Sequence, residues 1–172
     1  SEREGSSAIS AEEFQIAGTG SFPGLTNDAL HFLSQPLTGN GHLVARLIAQ
    51  QPTGPHARAG LMLREDATAD APTVFVSLLA SGGVQFESRL TSGADLVKTD
   101  IFLDPASRWL RLLREEDQFR GYVSSDGSNW LAVGEVAASL TKTLRAGFGV
   151  VSDTDLDVNL ARFTNFSLVG VT

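Results

Sequence analysis

Residues Gly41–Glu65 read GHLVARLIAQQPTGPHARAGLMLRE. Two extended runs, His42 to Gln51 and Ala57 to Glu65, flank a break at Gln51-Pro52-Thr53-Gly54-Pro55. Neither proline has an N–H to give a ladder, and Gly54 admits positive φ, so a strand cannot run through. On the second run Ala57, Ala59, Leu61 and Leu63 alternate with Arg58, Gly60, Met62 and Arg64. Side chains of a strand point to alternate faces, so this strand is apolar on one side and arginine-bearing on the other. It belongs to a sheet with a core face and a second, polar face.

Working outward, the same pattern recurs between turn signals. Upstream, strands are expected at Phe14–Ala17 and Ala29–Leu33, with a turn over 34–41 around Pro36, Gly39 and Gly41. Downstream, Thr73–Ala80 is β-branched and aromatic, and Ser81-Gly82-Gly83 turns it into Val84–Thr91. Residues 92–104 read as a long connection. Arg108–Arg114 and Gln118–Ser125 form a hairpin with Glu115-Glu116-Asp117 at its tip, and Asp126-Gly127 turns the chain into Trp130–Glu135. Val136–Leu144 is the one helical turn the pattern suggests. Ala146–Val151 carries two glycines, where something must approach the backbone closely, and Val158–Val169 closes the chain. Short strands at regular spacing with almost no helix predict an all-β, antiparallel two-sheet β-sandwich of jelly-roll type. Residues 1–12 are expected to be a flexible N-terminal segment, and 13–172 a single sandwich domain.

The 172 residues suffice for a core that buries roughly 70% of the unfolded surface. Cysteine is absent, which excludes disulfides, thiol nucleophiles and cysteine-based zinc sites. Thirteen basic and twenty acidic residues give a net charge of −7, and no Lys/Arg run exists, so no nucleic-acid partner is expected. Eleven of the thirteen basic residues are Arg, the side chain suited to planar, multidentate recognition, although a GC-rich genome produces the same bias. No apolar run is long enough to span a membrane. The start, SEREGSSAISAEE, has no signal-peptide core, which leaves a cytoplasmic protein or a secreted one whose leader lies outside this sequence.

The Arg58-x-Gly60-Leu61-Met62-x-Arg64 strand and the Ser124-x-Asp126-Gly127-x-x-Trp130 turn carry a resemblance. With the flanking GNGHLVARLIAQQ, WLRLLREEDQFRGYV and AGFGVVSD stretches, they make residues 14–169 similar to bacterial concanavalin A-like jelly-roll domains. The likeness is greatest to the family of unknown function that includes the C-terminal domain of β-xylosidases. The resemblance implies two curved sheets, a concave face, an accessory carbohydrate-binding role, and a place in a larger protein that is extracellular or periplasmic. Fold alone does not fix function.

Several constellations bear on chemistry. Family 16 glycoside hydrolases on this scaffold need Glu-x-Asp-x-x-Glu on one strand face. Here Glu115-Glu116-Asp117-Gln118-Phe119-Arg120 places Arg120 at the second Glu, on a hairpin tip, so no catalytic residue is assigned there. A hydrolase with an unfamiliar pair such as Glu87 and Asp117 is a weaker alternative. His31, His42 and His56 lack metal-ligand spacing, and no Gly-x-Ser-x-Gly elbow exists. Asp153, Asp155 and Asp157 have the look of oxygen ligands for a structural calcium, with Asp28 or Asp126 as helpers, but an EF-hand's Gly is missing. Trp130 is expected in the core. Strand alternation aligns Trp109 with Arg111, and Arg120 with Tyr122. If those faces coincide with that of Arg58 and Arg64, then Arg58, Arg64, Glu87, Trp109, Arg111, Arg120 and Tyr122 line one glycan groove on the concave sheet. The leading expectation is thus a non-catalytic carbohydrate-binding module for a polysaccharide or oligosaccharide, with no cofactor beyond a possible calcium. The alternative is a structural or protein–protein interaction module whose arginines and carboxylates merely cover a solvated sheet.

Overall fold

The computed structural model describes residues 7–9, 13–20, 31–66, 68, 70–101, 107–152 and 154–171. Among them are thirteen strands and no helix: β1 (Ser7–Ile9), β2 (Glu13–Gly20), β3 (His31–Thr38), β4 (Asn40–Ala49), β5 (Arg58–Arg64), β6 (Thr73–Leu79), β7 (Val84–Arg89), β8 (Val97–Ile101), β9 (Trp109–Glu115), β10 (Gln118–Ser124), β11 (Leu131–Ala137), β12 (Thr143–Val151) and β13 (Thr154–Val171). They form a β-sandwich. A seven-stranded sheet runs β1-β2-β13-β4-β9-β10-β11, and a six-stranded sheet runs β3-β12-β5-β6-β7-β8. Every pairing is antiparallel.

The core lies between the sheets, built from alternate residues of each strand. Leu43, Ala45 and Leu47 of β4, Leu110 and Leu112 of β9, and Phe119 and Val123 of β10 meet Ala59, Leu61 and Leu63 of β5 and Val74, Val76 and Leu78 of β6. One knob-and-slot contact locks the two layers. Gly121 and Gly134 face each other across the β10–β11 ladder. A Cβ on either would come within 2.8 or 2.3 Å of the Phe86 ring from the other sheet. The two missing side chains are the space into which Phe86 fits.

The break at 50–57 is a crossover, since β4 lies in one sheet and β5 in the other. Buried Asn159 ties it down. Its Oδ1 accepts from the Gln51 amide at 2.9 Å, and its Nδ2 donates to Gln50 Oε1 and to the Val151 carbonyl, each at 3.1 Å.

Ser7–Ile9 pairs with Phe14–Ile16 as the edge strand of its sheet. Three expectations are corrected. Of the strand read at 29–33, Ala29 and Leu30 lie outside the described residues; from His31 strand β3 runs on to Thr38, through most of the expected turn, and tolerates Pro36 because it lies at the sheet edge. The supposed long connection contains edge strand β8, which sequence hides because Val97 is 65% exposed and no face is apolar throughout. The helical turn at 136–144 is absent. Residues up to Ala137 continue β11, and Arg114 then takes the following carbonyls: its Nη1 donates to Thr141 (2.8 Å) and Lys142 (3.2 Å), and its Nη2 to Leu140 (3.4 Å). Those carbonyls bond a guanidinium instead of amides four residues on.

Candidate functional site

A sandwich has two outer faces, and the residues expected in one groove divide between them. Arg58, Arg64 and Glu87 stand on β5 and β7 of the six-stranded sheet, whereas Trp109, Arg111, Arg120 and Tyr122 stand on β9 and β10 of the seven-stranded sheet. Alternation correctly put each set away from the core. With the shared core between the layers, the two sets point in opposite directions, so the seven residues do not line one groove.

The outer face of the six-stranded sheet is closed. Arg58 and Glu87 are each 1% exposed at the side chain and form a two-pronged ion pair, Nε to Oε1 at 2.7 Å and Nη2 to Oε2 at 3.2 Å. Arg58 Nη1 also donates to the His56 carbonyl at 2.8 Å, and the guanidinium lies 5.8 Å from the Phe75 ring centre. Arg64 donates to the carbonyls of Asp66 and Thr68. Arg89, which sequence reading did not single out, donates to the carbonyls of Ala94 (2.7 Å) and Ala71 (3.4 Å). Met62, Phe75 and Val151 form a small apolar cluster, with Phe32 packed on it. Gly149 makes room for that cluster, since a Cβ there would stand 3.1 Å from both Met62 and Phe75. These groups hold one another and the loops at 65–72 and 90–96. They form a framework. Two atoms depart from it: Ser77 Oγ and Gln85 Oε1, register partners on β6 and β7, are buried without a hydrogen-bond partner.

The outer face of the seven-stranded sheet is open. Arg111 lies on β9 with its guanidinium 5.5 Å from the Tyr122 ring centre and 6.0 Å from that of Trp130. All three are half-buried, so part of each reaches solvent. Trp130 is therefore not the core residue it was expected to be. The hairpin register explains why: Tyr122 pairs with Ala132, and Trp130 just precedes β11, beside Arg111 instead of between the sheets. Trp109 pairs with Arg46 on the same face, one row along.

The Asp126-Gly127 turn sets the end of this strip. The Asp126 carboxylate accepts from Ser124 Oγ (2.9 Å), from the amides of Ser128 and Asn129 (2.8 Å each) and from Asn129 Nδ2 (2.7 Å). The Asn129 amide is the largest of the effects that hold this carboxyl far below the usual range. The turn then presents Gly127, at φ 79°, against the Trp109 ring; a Cβ there would come within 3.0 Å of it. Asp126 thus serves its own loop.

Arg120 is more exposed and meets Glu135 at 3.5 Å and Glu115 at 4.0 Å, loose surface pairs worth little. The hairpin tip is as expected: Glu115, Glu116 and Asp117 are exposed, and Glu116 has φ 56°. Among the described residues no three His, Asp or Glu side chains converge on a metal position. Asp28 and Asp153 lie outside the described residues, as does the side chain of Asp155, and Asp157 is exposed. Sequence reading also passed over Arg46, and weighed His42 only as a metal ligand; both border the strip. The signal for Arg46 was its alternation with Val44 and His42 opposite buried Leu43, Ala45 and Leu47.

No protein-family model matches the sequence, and no curated protein matches it. Solved structures do match. A functionally unknown protein from Saccharomyces cerevisiae superimposes with a TM-score of 0.75 at 19% identity, over 97% of this chain and 92% of that one. The carbohydrate binding module CBM66 from Bacillus subtilis gives 0.61 at 18% identity, over 96% and 91%. The GH43 protein BlXynB from Bacillus licheniformis gives 0.71 at 12% identity, over 92% of this chain but 33% of that protein. The chain therefore spans about a third of that protein's length. These likenesses establish the fold, a sandwich of concanavalin A-like type. No helix among the described residues is long and apolar enough to cross a membrane.

Proposed function

We propose that this chain is a non-catalytic carbohydrate-binding module of a larger, secreted bacterial protein, and that it binds glycan on the outer face of its seven-stranded sheet. One observation carries the reading: Trp109, Tyr122 and Trp130 gather with Arg111 on a single partly exposed sheet face. Aromatic rings offer flat apolar surface to the C–H face of a pyranose, and a guanidinium fork offers several donors to its hydroxyls. The likeness over nearly the whole of a carbohydrate binding module supports it, as does coverage of a third of a GH43 protein, the proportion of an accessory domain.

Affinity electrophoresis against soluble xylan, mixed-linkage glucan, galactan and polyuronate tests the reading. Retardation by one polymer is expected, with loss of retardation in Tyr122→Ala and Trp130→Ala while both variants keep the wild-type melting transition to within a few degrees. Equal retardation of wild type and both variants would move the site elsewhere. No retardation by any polymer would leave a structural or protein-interaction module.

A further inference from the structure

The strip carries more positive charge than sugar hydroxyls require. Arg46 pairs with Trp109 across the β4–β9 ladder, and Val44 with Arg111, which makes Arg46 and Arg111 diagonal neighbours on one face. In an antiparallel ladder such positions are about 7–8 Å apart. Arg108 precedes β9 on the side of core Leu110, and burial, then the Arg46 charge, lowers its pKa. His42 stands one row beyond Val44 and feels Arg111 in the same way. Among the described residues no carboxylate pairs with Arg46, Arg108 or Arg111, and Arg111 Nε is buried without a partner. Arg58 is answered by Glu87 on the other sheet and, on this same outer face, Arg120 by Glu135 and Arg162 by Glu13, while Arg145 on β12 donates to Ser34 Oγ.

Two unanswered guanidinium groups, those of Arg46 and Arg111, beside three aromatic rings form a site with two demands. The rings need a flat apolar body, and the forks need planar oxyanions, which they grip by paired, charge-assisted hydrogen bonds. A polymer of uronic acids meets both, with a pyranose face and a carboxylate on every residue. We infer that the glycan taken on this face is an acidic, uronate-bearing polysaccharide. This rests on the glycan-binding reading above and specifies its ligand class. The net charge of −7 sharpens the argument. A polyanion is repelled by the molecule as a whole, so any retention reports a local, oriented patch and not general stickiness.

The test uses pairs of polymers that share a backbone and differ in charge. Polygalacturonate is compared with its fully methyl-esterified form by isothermal titration at low and high salt, with neutral xylan alongside. The expected result is binding of the free acid at least about tenfold tighter than of the ester, the value of one lost charge-assisted bond. Salt should weaken it, and Arg46→Gln and Arg111→Gln should each reduce it while leaving the melting temperature near wild type. Arg111→Lys should recover only part of the loss, because an ammonium lacks the fork. Equal affinity for acid and ester, or tighter binding of neutral xylan with no salt dependence, would overturn the acidic ligand and leave the glycan-binding reading intact. No binding of any polymer would overturn both.

Discussion

At the scale of single residues, Arg58 and Glu87 set the character of the closed face. Each is 1% exposed, and each satisfies the other. Removing one strands a charge out of water, which costs about 3–5 kcal/mol, while removing both leaves none. Arg58→Met and Glu87→Met should therefore each be strongly destabilising in urea unfolding, and the double variant should be much less so than their sum. Additive losses would show that the pair is not coupled. Arg64 belongs to the same class: its bonds to the Asp66 and Thr68 carbonyls anchor a loop, so Arg64→Ala should lower stability and not glycan affinity. His42 adds a pH dependence. Burial, then the Arg111 charge, holds its pKa below the ordinary 6.5. Between the folded value and 6.5 the unfolded chain binds more protons, so stability rises with pH through that window and is lost as pH falls below about 6.5. Melting temperatures from pH 5 to 7.5 should fall further on acidification in wild type than in His42→Gln. Parallel curves would remove His42 as a source.

At the scale of elements, the Phe86 slot is the contact most sensitive to volume. Gly134→Ala would bring a methyl into a ring that already occupies its place, and overpacking of this kind costs about 1–3 kcal/mol. Adding Phe86→Leu should recover part of that loss; no recovery would mean the clash is relieved elsewhere. The same scale shows what sequence could and could not reveal. β5, β9 and β10 were legible because each has one apolar face, and the Asp126-Gly127 turn because its residues cap themselves locally. β1 and β8 stayed hidden as short pieces outside the alternating core pattern, and β8 carries an exposed Val97. The 136–144 stretch misled because Arg114, distant in sequence, takes its carbonyls.

At the scale of the whole molecule, alternation tells which residues of a strand share a face, but not which sheet the strand joins. That is decided by crossovers such as 50–57, whose anchor Asn159 lies more than a hundred residues away. Hence the individual side chains Trp109, Arg111 and Tyr122 were legible as a cluster, while their union with Arg58, Arg64 and Glu87 was not. The outcome is a division of labour: one sheet face is closed by mutual hydrogen bonds, and the other presents rings and unanswered arginines on an acidic body. The most direct test of that division is a nitrogen–proton NMR titration with a retained polysaccharide fragment. Trp109 and Trp130 are the only tryptophans, so their two indole N–H signals report the open face alone. Both indole signals should shift on binding while the amides of Gly60, Ser77 and Gln85 stay in place. Shifts confined to Gly60, Ser77 and Gln85, with the indoles unmoved, would contradict that division.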